Sequence, residues 1–156
     1  YMNEFQQNQY QAAMLAVSSI LAPYDHDGQF PCFGFGARVD GVVSHCFPLN
    51  GNPAAPEVDG VAGIMSAYKE CLARPGMVLS GPTCFTPMLN YAASRPSAKA
   101  RDGKSYLVAL ILTDGEITDM QSTVDTIVRM SPDPVSIIIV GVGNGCDFDE
   151  AHLCLP

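Results

Sequence analysis

Apolar residues recur at Tyr10, Ala13, Met14, Val17, Ile20 and Leu21, the spacing of a single helical face. Asn8, with Gln11 three residues later, supplies a capping box at the start of that face. The pattern predicts an amphipathic first helix ending near Pro23. After a turn at residues 25–28, two strands are expected at residues 30–37 and 42–49, joined by Asp40-Gly41 into a hairpin. Gly51, Pro53 and Pro56 mark a loop, after which Asp59 is expected to cap a second helix turning Val61, Ile64, Met65, Tyr68 and Leu72 inward. A loop through Gly76 and Gly81-Pro82 leads to Thr86-Pro87. There a hydroxyl cap followed by proline at the first helical position predicts a third helix reaching Ser94. The polar residues 95–104 are expected to form a surface loop.

Residues 106–112 and 135–142 are nearly all apolar and do not alternate, the pattern of strands buried on both faces of a parallel sheet. Between them Met120, Val124, Ile127 and Val128 form a helical stripe after Thr118-Asp119. Strand, helix, strand is a βαβ unit, so the expected class is α/β with a mostly parallel sheet. No internal repeat or low-complexity tract interrupts it.

Composition narrows the function classes. With 156 residues, 47% of them hydrophobic, the chain suits one domain spanning residues 1–156 and is too short for two. Acidic residues outnumber basic ones by 16 to 8, a net charge of -8 without a basic cluster, which argues against nucleic acid as partner. No apolar run approaches the roughly 20 residues needed to span a bilayer, and the first residues show neither region of a secretory leader. The six cysteines, Cys32, Cys46, Cys71, Cys84, Cys146 and Cys154, contain no Cys-x-x-Cys pair. Buried free thiols are expected, three disulfides being the alternative.

In open parallel sheets, ligands bind beyond the carboxyl ends of the strands. The loop following Leu112 reads Thr113, Asp114, Gly115, Glu116, a carboxylate at a strand tip; an aspartate there also suits a turn or helix cap. Ser80-Gly81-Pro82-Thr83-Cys84, before the third helix, offers the Thr83 hydroxyl. A hydroxyl and a carboxylate are hard oxygen donors, suited to Mg2+ or Mn2+ with several waters retained and unsuited to zinc. Gly34-x-Gly36 runs into the hairpin and Gly141-x-Gly143-x-Gly145 lacks an adequate following helix, so neither makes a dinucleotide loop. Asp114 is followed two residues on by Glu116, where the phosphatase pattern of a nucleophilic Asp needs a second Asp. His26, His45 and His152 are scattered, and no nucleophile or carboxylate pair stands at catalytic spacing.

Several segments resemble the von Willebrand A domain of the copine family. They are Phe33-Gly34-Phe35-Gly36-Ala37-Arg38, Val43-Ser44-His45, Gly81-Pro82-Thr83, Leu-Ile-Leu-Thr-Asp-Gly-Glu-Ile-Thr-Asp at residues 110–119 and Ser-Ile-Ile-Ile-Val-Gly-Val-Gly-Asn at residues 136–144. The similarity runs from about Tyr1 to Asp149. It implies a Rossmann-like α/β fold with a mostly parallel sheet, an antiparallel edge hairpin and helices on both faces. It also implies a metal-ion-dependent adhesion site, where three loops hold a divalent cation (Mg2+ or Mn2+, with Ca2+ as an alternative) and a partner protein supplies an acidic side chain. By that resemblance Thr83 is the hydroxyl of the second loop and Asp114 the carboxylate of the third. The first loop, an Asp-x-Ser-x-Ser, has no match here, and neither does the family's first strand, which lies centrally between the hairpin and strand 106–112. A split sheet is therefore expected, and a chain that is part of a longer protein. Residues 152–156 also depart from the family, whose last strand and helix find no match.

The function so implied is a protein-interaction module, not an enzyme, of a calcium-dependent phospholipid-binding protein. Membrane contact would come only through modules outside this chain, and the parent would be cytoplasmic, recruited to membranes by calcium. The alternative is a substrate-binding copine-like domain of a RING-type ubiquitin ligase, told apart by the flanking sequence. A metal-dependent phosphoester hydrolase using Asp114 ranks third.

Overall fold

The computed structural model describes residues 8–95 and 103–143. The chain opens with helix α1 (Gln9–Leu21), where the expected capping box is complete: the Gln11 N–H donates to Asn8 Oδ1 at 2.8 Å and the Asn8 N–H to Gln11 Oε1 at 2.9 Å. A short 3-10 turn (Ala22–Tyr24) ends it at Pro23. Six short strands follow: β1 (Gln29–Pro31), β2 (Phe33–Gly34), β3 (Ala37–Val39), β4 (Val42–Ser44), β5 (Phe47–Pro48) and β6 (Glu57–Asp59). Then come helix α2 (Gly60–Ala73), strand β7 (Val78–Leu79), helix α3 (Thr86–Ser94), strand β8 (Leu107–Thr113), helix α4 (Met120–Met130) and strand β9 (Val135–Gly141).

The predicted hairpin forms, turning at Asp40 and Gly41 with φ of 50° and 85°, as a two-residue connection between right-twisted strands requires. It is segmented, not continuous. β3 pairs with β4 and β2 with β5 in one common register, and β3 also takes β7 on its other edge. At Cys32 the partner changes: its carbonyl accepts from the Leu49 N–H at 2.9 Å, whereas its own N–H donates to the Pro56 carbonyl at 3.2 Å. The proline- and glycine-rich loop between Leu49 and Pro56 is thereby extruded, and β1 pairs with β6 beyond it. Opposite Phe47 stands Gly34, and the Phe47 ring lies directly over the space a Gly34 side chain would need.

β8 and β9 run parallel and in register from Leu107 against Val135 to Thr113 against Gly141. Their odd-numbered residues face α3 and α4 and make the main core, with Phe85, Leu89, Ile111 and Met130 buried and Ile137 and Ile139 packed against them. On the even-numbered rows Val108 and Ile138 stay exposed, so these strands are not buried on both faces as their composition predicts. A second core holds Ala37, Phe47 and Cys71 between the hairpin and α2, and α1 packs on α2 and β8.

The fold class is α/β, as expected, with parallel pairing among the described residues confined to β8 and β9. The sheet is divided. β8 bonds to β9 along one edge and no described strand pairs with the other, and an apolar groove lined by Pro31, Phe33, Cys46, Tyr91, Val108 and Leu110 separates it from the hairpin.

Two expected helix caps differ. Asp59 occupies the N-cap position of α2 without bonding that helix, because Gln29, its partner across the β1–β6 ladder, holds Asp59 Oδ1 through Nε2 at 3.2 Å. α3 begins at Thr86 with Phe85 at its N-cap, so Thr86 is inside the helix and Pro87 follows within the first turn. Its capping oxygens come from Asp119, over thirty residues away. Among the described cysteines Cys32, Cys46, Cys71 and Cys84 are free, and burial pushes the Cys32 thiol up to about 11. Cys146, Cys154, His152, Gly145 and most of the expected loop at 95–104 lie outside the described residues. Among the described residues no helix is long and apolar enough to cross a membrane.

Candidate metal site

β8 ends at the buried Thr113, whose carbonyl accepts the Val142 N–H at 2.8 Å and so ties the tips of β8 and β9 together. The next residue, Asp114, is exposed at the carboxyl end of the parallel pair, where a ligand meets an α/β sheet. The chain then runs through Gly115 to Thr118, whose N–H donates to the Thr83 carbonyl at 2.8 Å. Thr83 is half-buried, and its hydroxyl oxygen lies 3.4 Å from where a Cβ on Gly115 would sit. Two loops some thirty residues apart in sequence therefore meet, and the hydroxyl rests against the residue that follows the carboxylate.

Asp119 holds the meeting in place. Its Oδ1 accepts the Phe85 N–H and its Oδ2 the Thr86 N–H, both at 2.9 Å, and the Thr123 hydroxyl donates to Oδ1 at 3.2 Å. Burial alone would raise this carboxyl; the bonds from Thr86, Phe85 and Thr123 outweigh it and hold Asp119 below its ordinary value. A carboxylate at the N-terminus of α3 also faces the positive end of the helix dipole. Asp119 occupies the N-cap position of its own helix α4, yet its side chain bonds none of that helix's first amides. It acts instead on the helix that follows Thr83.

The first turn of α1 approaches from the other side. Gln9 Oε1 and Asp114 Cβ lie 3.5 and 4.0 Å from where a Cβ on Gly143 would sit. Tyr10, counted by spacing among the apolar face, lies within electrostatic reach of the Asp114 carboxylate. Burial first, then that carboxylate, push the phenol well above its usual value. Tyr10 also stacks on Tyr68 at 6.4 Å between ring centroids.

Thr83 and Asp114 offer two hard oxygens at one sheet edge. That donor chemistry fits a divalent cation that keeps most of its water, as Mg2+ does when one or two protein oxygens hold it. It does not amount to a closed cage: among the described residues no cluster of three His, Cys, Asp or Glu occurs. The exposed His26 and half-buried His45 stand apart, the latter with its Nδ1 buried and without a hydrogen-bond partner.

The sequence profile of the Copine family matches residues 1–153. The chain belongs to the copine family. Over 148 residues this copine domain is 49% identical to Protein BONZAI 1 and 50% identical to Protein BONZAI 2, both of Arabidopsis thaliana. The alignments cover 94% of the chain and 25% of each relative, so the chain spans about a quarter of the length of these proteins.

Proposed function

We propose that this copine domain is a binding module, not an enzyme, and that it recognises partner proteins through a divalent cation held by Thr83 and Asp114. The observation that carries the reading is the convergence of the two loops, with the Thr118 N–H on the Thr83 carbonyl at 2.8 Å and the Thr83 hydroxyl against Gly115. A largely hydrated Mg2+ or Mn2+ there has positions to spare, and a carboxylate from a partner is the natural hard ligand for one of them. The acidic balance of the chain draws divalent cations toward it as well. In the parent protein the module would serve a calcium-dependent phospholipid-binding protein of the cytoplasm, with membrane contact made by other modules.

The test is recovery of partners on the immobilised domain. Chelation with EDTA and the Asp114→Ala substitution are each expected to remove most of the bound protein, and recovery indifferent to both sinks the reading.

A further inference from the structure

Three amide side chains stand at the start of α1, and two of them are engaged. Asn8 Oδ1 and Gln11 Oε1 each accept the other residue's backbone N–H in the capping box, whereas Gln9 serves neither half of it and is exposed. Its Oε1 lies 3.5 Å from where a Cβ on Gly143 would sit, and Asp114 Cβ lies 4.0 Å from the same point. The amide oxygen and the stem of the carboxylate therefore face one corner, no farther apart than those two distances added together. Gly143, with φ of 116°, leaves that corner open, and a side chain there would fill it. Beside Asp114 in the chain, the Thr83 hydroxyl rests 3.4 Å from the place of a Cβ on Gly115.

An amide carbonyl is a hard oxygen donor of the kind that divalent cations accept beside carboxylates and water. We propose that Gln9 is a third protein ligand of the cation site, its side-chain carbonyl joining the Thr83 hydroxyl and the Asp114 carboxylate from the first turn of α1. The proposal rests on the reading of Thr83 and Asp114 as cation ligands and deepens it. The capping box gains a second role, since it fixes the turn from which Gln9 projects. The charge balance of the site follows as well. A neutral carbonyl and a neutral hydroxyl add coordination without charge, so one carboxylate stands against two positive charges, and the site stays attractive to an acidic side chain of a partner.

The experiment titrates the chain with Mn2+ alone, following the free ion by electron paramagnetic resonance, in the wild type, Gln9→Leu and Asp114→Ala. Gln9→Leu keeps most of the side chain's bulk, leaves the capping box intact and removes the oxygen. It is expected to bind Mn2+ roughly tenfold more weakly, the low end of what losing a partner of a metal site costs, while Asp114→Ala binds none. Affinity in Gln9→Leu equal to the wild type or tighter, with binding lost in Asp114→Ala, overturns the third ligand and leaves the cation reading standing. Mn2+ binding that survives Asp114→Ala, or none by the wild type, overturns both. A second readout uses the wild type with Mg2+: coordination through the oxygen draws electrons from the amide nitrogen, so the nitrogen resonance of the Gln9 side chain should move as the ion saturates. If it stays in place while the Asp114 backbone amide moves, Gln9 is no ligand, whatever the affinity or folding of Gln9→Leu.

Discussion

Asp119 shows how a single side chain can serve an element other than its own. By sequence it sits where an N-cap for α4 belongs, and its backbone does start that helix, the Thr123 N–H donating to its carbonyl at 2.9 Å. The carboxylate, however, spans two amides of α3 and fixes the chain just after Thr83. Replacing it with alanine should destabilise the domain by about 2 kcal/mol at neutral pH, the upper range for a lost N-cap, measured by urea unfolding. The effect carries a pH signature. Because the folded carboxyl titrates below its ordinary value, its stabilisation is complete above the unfolded value near ~3.9 and fades as pH falls through the folded one. The gap between wild type and Asp119→Asn should therefore shrink below about pH 4; a constant gap would contradict the assignment. The loops that carry Thr83 and Asp114 were visible as local patterns, a Gly-Pro turn and a strand tip, whereas singling out these two residues took the resemblance to copines. Tyr10 and the reach of Asp119 were not, since helical spacing marks Tyr10 as one more inward residue and nothing local tells a carboxylate which of two helices it will cap.

At the scale of elements, the helices were read well and the hairpin only in outline. Helical faces leave a period in the sequence, and a capping box such as that of α1 is confined to four residues, so both are visible without the fold. The hairpin depends on pairs far apart in sequence. Its break at Cys32, where a proline-rich loop is pushed out of the ladder, follows from register, which alternation alone does not fix. Gly34 illustrates the same point: in sequence it looks like half of a glycine loop, whereas in the fold it is the vacant place that the Phe47 ring fills. Gly34→Ala should thus cost about 1–3 kcal/mol as overpacking. Its penalty should largely vanish when Phe47 is also replaced by alanine, a coupling that a double-mutant cycle of unfolding energies reads directly. If Gly34→Ala costs as much without the ring as with it, the penalty lies in the backbone and not in the contact.

At the scale of the whole molecule, the described residues form a hairpin with α2 and a parallel β8–β9 pair with α3 and α4, with α1 against both, and no described strand bridges the two. Helix α1 packs on both α2 and β8, and side chains on α3 and at its two ends join the parts further. Phe35 meets Phe85 edge to face at 5.5 Å, Phe33 meets Tyr91 at 4.3 Å, and Arg95 pairs with Glu57 at 3.1 Å. Such a joint is sensitive to long-range charge, and here the charge is one-sided: 16 acidic against 8 basic residues, a net charge of -8. Self-repulsion of this kind is screened by salt, so raising NaCl from ~20 to ~200 mM should lift the thermal midpoint by a few degrees. Mg2+ at matched ionic strength adds a separable effect. A cation bound at Thr83 and Asp114 stabilises the folded state by mass action in proportion to the logarithm of its concentration over its dissociation constant. Screening acts on every carboxylate, whereas this gain needs Asp114. The wild type should therefore melt higher in MgCl2 than in NaCl of equal ionic strength, while Asp114→Ala should melt alike in the two, as scanning calorimetry can show. Equal melting of the wild type in both salts would leave only screening and remove the ion from the account of this sheet edge.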